Sequence, residues 1–464
     1  MDADAQDYID RRALAGDTLS AADQAAFNAL VVELKGGGQW DNLVELWTPC
    51  GGTFTGAMVK LKDCGSGNCI NTDFVSGDFN AITGLLGDGV SKRLSTGTIP
   101  SDHGVTGANI ALGVFVSGTA ADSRGQNIAL GDGSTFFFPE FSGSIIFNGG
   151  LMSNAAATEG FHILTREAGN VSKYFHNGIL MDSNNTQGPV SPAAEVTVGS
   201  YGAGFYYVGR IRCYFIATDL LEADVVAITE AFETFVGRIA ASRRTGLYGA
   251  FGDSITFGLN ASDAAHEYAS LVATGLSLTL SKQGISGIPL YGTHTSYQSG
   301  QWSVISRICD RAPTKVTLAY GTNDVNSADT NLTAAVFQSS ASATLGRIMR
   351  MCGLTGSDVT ITGPTRVTSG YAGQGDDTRA LAFAAAAEAA AVAEGCQFAA
   401  VRAAMISEAV TPTDGIHPDD DGHVVWADTI LAAFASAQGA ATSGLGSSGL
   451  IGGTQLGAEG LGPS

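Results

Sequence analysis

The feature that most constrains this chain is a change of texture near Arg244. Beyond it, short apolar runs alternate with patterned helical stretches. Leu247–Phe251, Leu276–Leu280, Val316–Tyr320, Val359–Thr362 and Phe398–Ala400 read as buried strands. Helices are expected near Glu267–Gly275, Trp302–Cys309, Ala334–Cys352 and Asp377–Glu394. Strands that run the same way need a crossover, and helices supply it, so the alternation predicts a parallel sheet covered on both faces. Sheets of that kind bind ligands beyond the carboxyl ends of their strands. Four polar, glycine-rich stretches fall there: Gly252-Asp253-Ser254, "QGISG" (Gln283 to Gly287), "YGTNDV" (Tyr320 to Val325) and "TDGIHPDDDGH" (Thr413 to His423).

Taken singly, each stretch has a bland explanation. Gly-Asp-Ser is ordinary turn chemistry, "GTND" is a common strand-end turn, and Asp414, Asp419, Asp420 and Asp421 could form a cation-binding acidic loop. Taken together they hold the parts that acyl transfer from an ester requires. Ser254 is the candidate nucleophile and needs a base to take its proton, for which His417 is available. Asp414, three residues earlier, can hold the other nitrogen of that imidazole. An oxyanion needs donors, and the N–H of Ser254, the N–H of Gly287 and the side-chain amide of Asn323 are candidates. Gly284 is the alternative to Gly287. His423 reads as support for the start of the last helix, and His103, His162, His176, His266 and His294 as structural or surface residues.

The four stretches resemble, in order and spacing, the four blocks of the SGNH (GDSL-type) hydrolases. The resemblance rests on Ser254 in "FGDSITFG", Gly287 in "GISG", Asn323 in "GTND", and Asp414 and His417 in "DGIHP", and it spans residues 245–438. The first block reads Gly-Asp-Ser-Ile in place of Gly-Asp-Ser-Leu, an exchange of one apolar residue for another. The resemblance implies a three-layer, flavodoxin-like α/β fold and ester hydrolysis, often of acetyl groups on carbohydrate. It implies neither a metal nor any other cofactor.

The front of the chain has a different pattern. Residues 1–40 read as a helical segment, with Ser20 capping "AADQAAFNALVVELK" and the glycines 36–38 ending it. Residues 41–220 break into short β-like runs separated by Gly, Ser, Asn and Asp, which predicts an antiparallel β-sandwich. Ile82–Gly97, Gly160–Ser183 and Gly204–Val225 resemble, loosely, the concanavalin-like (laminin-G-like) sandwiches of tailed-phage proteins. Tyr201, Tyr206 and Tyr207 could stack on sugars there, although alternating strand aromatics more often face a core. Residues 221–244 read as a connecting helix capped by Thr218 or Asp219, and residues 439–464 as a Gly/Ser-rich tail.

Composition narrows the partners. A formal charge of −20 repels phosphate backbones, which argues against nucleic acid. Charged residues make up only 15%, which suits packing against other subunits, copies of this chain included. The seven cysteines are scattered and odd in number, which speaks for thiols over a disulfide framework, with a Cys64–Cys69 bridge as the alternative. No stretch suits membrane insertion, and the N-terminus has no signal-peptide pattern.

The expectation is therefore a multidomain serine esterase carried behind a lectin-like sandwich. It would be made in a host cytoplasm, built into a phage tail with other virion proteins, and act on acylated glycan at the host surface. The rival readings are a receptor-binding virion protein with a vestigial hydrolase fold and a free bacterial esterase with a carbohydrate-binding module.

Overall fold

The computed structural model describes residues 1–117, 137–141, 144–147, 150–153, 160–167, 171–184, 192–201, 205–244, 246–290, 308, 310–327, 332–368, 377–412 and 414–443. Two helices open the chain, α1 (Ala3–Leu14) and α2 (Ala21–Gly36). Ser20 caps α2 as its sequence predicts, its hydroxyl accepting the N–H of Asp23 at 3.1 Å.

A nine-stranded antiparallel sheet follows. Its continuous path runs through residues 179–184, 171–176, 160–167, 110–117, 208–218, 43–47 and 60–62. Side chains alternate across it as strand geometry requires. Phe115, Phe161, Cys213 and Phe215 belong to one core, and Leu112, Val114, Tyr214 and Ile216 to another. The second core also receives Leu94 and Val198 from a small three-stranded sheet. Tyr207 is buried in that core, so it is not free to stack on a sugar, and Tyr206 is half-buried.

The first face of the sheet packs on helix α3 (Glu222–Ala241), with the Phe161 and Phe232 rings 5.5 Å apart. Neither Thr218 nor Asp219 caps α3. Asp219 lies in the left-handed region (φ 53°) and is tied to Asn109, so the cap position falls later, on Leu221, and the helix starts at Glu222. The Asp224 carboxylate there accepts the N–H of Leu221 at 3.0 Å. The opening helices dock on the same element, with Phe27 against Phe235 at 4.9 Å and Arg243 forked onto Asp23 at 2.8 Å.

Beyond α3 the sheet is parallel, with order β2-β1-β3-β4-β5: β1 (Leu247–Gly252), β2 (Thr279–Gly284), β3 (Lys315–Ala319), β4 (Val359–Thr362) and β5 (Gln397–Ala399). The helices are α4 (Ser254–Phe257), α5 (Tyr268–Leu276), α6 (Thr322–Val325), α7 (Ala334–Cys352), α8 (Asp377–Glu394), α9 (Val401–Ser407) and α10 (Asp420–Ser443). Phe251, Leu318 and Ile361 share a core with α7 and α8, while Tyr248 and Ala250 share one with α5 and α10. Both faces are thus covered, as the strand–helix alternation predicts.

Two expected boundaries move. The second strand is Thr279–Gly284, not Leu276–Leu280, because α5 runs to Leu276 and Ser277 closes it in the left-handed region (φ 55°). The last helix reaches Ser443, past the expected limit at 438. The helix expected at Trp302–Cys309, apart from Ile308, and the tail after Ser443 lie outside the described residues.

The two halves meet at a close helix crossing. A Cβ at Gly237 of α3 would sit 1.7 Å from the carbonyl oxygen of Arg350 on α7, and one at Gly353 would lie 2.2 Å from the carbonyl oxygen of Gly237. Glu233, buried beside the crossing, pairs with Arg347 at 2.7 Å and Arg350 at 3.2 Å. Arg212 of the antiparallel sheet reaches Asp310 at 2.7 Å. Burial raises the Glu233 carboxyl above its ordinary value, and its two arginines offset only part of that.

Among the described residues Cys50, Cys64, Cys69, Cys213, Cys352 and Cys396 are free thiols, so Cys64 and Cys69 are not bridged. No helix among them is long and apolar enough to cross a membrane.

Candidate active site

Strand β1 stops at Gly252, and Asp253 turns the chain into α4 by accepting the N–H of Ile255 at 2.9 Å. Ser254 is therefore the first residue of a helix, where a backbone N–H has no intrahelical acceptor. The β5–α10 side brings in the loop with Asp414 and His417. One Asp414 oxygen accepts the N–H groups of Ile416 (3.1 Å) and His417 (2.8 Å), which folds the loop over its own carboxylate. Its other oxygen meets His417 Nδ1 at 2.6 Å, and His417 Nε2 lies 2.8 Å from the Ser254 hydroxyl.

The proton positions follow from these partners. An ionised carboxylate only accepts, so Nδ1 carries the hydrogen and Nε2 is left to accept from Ser254. Partial burial works against the charge of Asp414, but the N–H groups and ring of His417 with the N–H of Ile416 outweigh it. The Asp414 carboxyl lies below its ordinary value as a result and stays ionised in neutral solution. Ser254 is 4% exposed, with the half-exposed Asp414 on the outer side of the imidazole.

The structure separates the two glycines of the "QGISG" stretch. Gly284 ends β2 beneath α4, where a Cβ would lie 2.2 Å from the backbone nitrogen of Phe257. Gly287 is in the following loop at φ 78°, and a Cβ there would meet nothing within 4 Å. On its side-chain side it borders open space. Asn323 is on α6, and its amide nitrogen reaches both Asp253 Oδ2 and the Ile288 carbonyl at 3.2 Å. Asn323 and the Gly287 loop are thus hydrogen-bonded neighbours.

The remaining acids of the last loop have their own tasks. Asp419 accepts the N–H of Gly422 at 3.1 Å, and Asp420 that of Ser262 at 2.7 Å. Among the described residues they do not converge into a metal-ligand group. The set that does converge, Glu45, Asp63 and Cys64, is at the last two strands of the antiparallel sheet, where the Lys60 ammonium already sits 2.8 Å from Glu45. His423 is buried, accepting the N–H of Tyr268 at 3.3 Å. His162 and His176 stack in the first half, His266 pairs with exposed Asp263, and His294 lies outside the described residues.

Asp253 is a functional candidate that the motif reading passed over. Burial pushes its carboxyl up to about 7, with the charge of Asp324 adding to the effect. The folded chain therefore holds this proton more tightly than the unfolded chain does. The stability this confers is full below 3.8 and is lost as pH rises to about 7. Thermal melts across that interval should show a steeper decline in Tm for the wild type than for Asp253→Asn. Parallel curves would remove Asp253 as the source.

Residues 250–425 match the model of the GDSL-like lipase/acylhydrolase family. No curated protein matches the chain. Among solved structures it is similar to an α/β hydrolase enzyme from the metagenome of Lake Arreo, at 19% identity over 41% of this chain and 96% of that one, with a TM-score of 0.32. It is similar also to a lipase/acylhydrolase from Enterococcus faecalis (20%, 40% and 94%, TM-score 0.33). A variant of an acetyl xylan esterase from Geobacillus stearothermophilus gives 20%, 41% and 95%, with a TM-score of 0.31. With the family model matched across the strands and loops that hold Ser254, Asn323, Asp414 and His417, the parallel-sheet part of this chain is a GDSL/SGNH hydrolase domain, of a family that cleaves ester bonds.

Proposed function

We propose that this domain is a serine esterase that removes acyl groups, O-acetyl first among them, from a bacterial surface glycan. The observation that carries the reading is the continuous chain from the Ser254 hydroxyl through His417 to Asp414, at 2.8 and 2.6 Å. In this reading Ser254 Oγ attacks the acyl carbonyl as His417 Nε2 takes its proton. His417 then returns the proton to the leaving sugar oxygen, and an acyl ester on Ser254 remains. Water, deprotonated by His417, cleaves that ester to release the carboxylic acid and restore Ser254. The N–H groups of Ser254 and Gly287 receive the oxyanion in both halves, together with the Asn323 amide, which turns one hydrogen from the Ile288 carbonyl to do so.

The preference for a carbohydrate ester comes from the family resemblance and from the β-rich half, which we read as a lectin-like sandwich that holds the glycan. The same reading places the protein on a phage tail, among other virion proteins and in several copies, acting at the host surface. The weakly charged composition supports this setting.

Incubation with acetylated surface polysaccharide should release acetate, and the Ser254→Ala protein should release it only at a small residual rate. An active protein that spares every glycan ester while cleaving small esters would remove the carbohydrate part of the proposal. Failure of a fluorophosphonate to label Ser254 would favour the vestigial, receptor-binding alternative. Asn323→Ala should keep its fold and KM and lose about 10²–10³ in kcat, the usual effect of deleting one oxyanion donor. Wild-type turnover in that variant would take Asn323 out of the site.

A further inference from the structure

Two carboxylates lie beneath the site without touching its reacting atoms. Asp253 is 1% exposed and Asp324 is fully buried. Burying a carboxylate is costly, so each is expected to hold something in return. Their hydrogen bonds show what they hold. Asp253 Oδ1 accepts the N–H of Ile255 and so fixes the turn that presents Ser254, while Oδ2 accepts the Asn323 amide at 3.2 Å. Asp324 Oδ2 accepts the N–H of Leu290 at 2.9 Å.

Leu290 closes the strap that carries Gly287. The strap is anchored at its start by the Ile285 N–H on the Gly252 carbonyl at 3.0 Å, and it turns through the Ile288 N–H on the Ile285 carbonyl at 3.3 Å. Asp324 supplies the anchor at the far end, and the Ile288 carbonyl lies against Asn323 between the two. Asp253 thus holds both the Asn323 amide and the turn that leads into Ser254, and Asp324 holds the strap three residues beyond Gly287.

We infer that Asp253 and Asp324 are positioning residues of the oxyanion hole, Asp253 aiming the Asn323 amide and Asp324 pinning the Gly287 strap. The inference rests on the esterase reading above. The division of labour makes the two acids distinguishable. Asp253 acts on the Asn323 amide, so its replacement should cost little once that amide is gone. Asp324 acts on a different donor, so its effect should persist without Asn323.

The test is a double-mutant cycle on the full chain, with p-nitrophenyl acetate as substrate and Tm recorded for every variant. Asp253→Asn should lower kcat about 10–100-fold with KM little changed, a partial form of losing a whole donor. In the Asn323→Ala background the same change should cost less than about threefold, because residues that act as a unit are not additive. Asp324→Ala should lower kcat by a similar factor in both backgrounds. If Asp253→Asn fails to fold, Asp253→Ser is used in its place. Additive effects of Asp253 and Asn323, losses confined to KM, or unchanged kcat in either single variant would overturn the inference and leave the esterase reading standing. A wild-type protein that neither hydrolyses the ester nor reacts with a fluorophosphonate at Ser254 would overturn both.

Discussion

Ser254→Ala should lower kcat for ester hydrolysis by about 10⁴–10⁶ and leave the fold intact. The substitution removes one hydroxyl, whose partner His417 keeps its second bond to Asp414. The backbone N–H of residue 254 remains, and so do Gly287 and Asn323. The variant should therefore still bind substrate, and the small residual rate measures what binding and the oxyanion donors achieve without a nucleophile. Acetate release against time, with matched far-UV circular dichroism, makes the measurement. A loss of less than about tenfold would mean that another group attacks the acyl carbon, since triad nucleophiles account for far more than that.

Gly237→Leu should be the most damaging substitution far from the site. Even the first atom of a side chain there would meet the Arg350 carbonyl oxygen at 1.7 Å, and backbone cannot swing aside as a side chain can. Overpacking of a tight core costs typically about 1–3 kcal/mol, and this contact belongs at or above the top of that range. The loss should appear in the denaturation midpoint and carry both halves of the chain down together, because Phe235, Val236 and Ile239 of α3 share one core with Leu345 and Ile348 of α7. Two separate transitions, with only the hydrolase part shifted, would show that the crossing does not couple them.

The site was more legible in the sequence than the fold around it. Ser254, Asn323, Asp414 and His417 each sit in a short motif, and a strand end followed by a polar glycine-rich turn announces itself locally. Asp253 and Asp324 stand within the same motifs and passed unnoticed, because their partners Asn323 and Leu290 are distant in sequence. The second strand was displaced for a different reason. Leu276, Leu278 and Leu280 give the apolar alternation of a strand, yet Leu276 still belongs to α5. The true strand runs on through Ser281, Lys282 and Gln283 at the edge of the sheet, where Lys282 and Gln283 stay half-exposed and the buried Ser281 hydroxyl accepts from Arg311 at 2.9 Å. The cap of α3 moved because Asp219 was claimed by Asn109, a residue from another strand end. Long-range pairs such as Arg212 with Asp310 have no local signature at all.

The crossing of α3 over α7 also decides where this chain can be divided. Residues 221–244 read in the sequence as a connecting helix, and a connector is where one would cut to free the enzyme. In the folded chain that segment is shared wall. Removing it would leave Leu345, Ile348 and Met351 without their cover, and would strip the opening helices and the antiparallel sheet of theirs. Recombination or engineering that transplants this hydrolase must carry α3 with it, and swapping in a new β-rich partner means rebuilding the groove that receives Phe161 and Phe27.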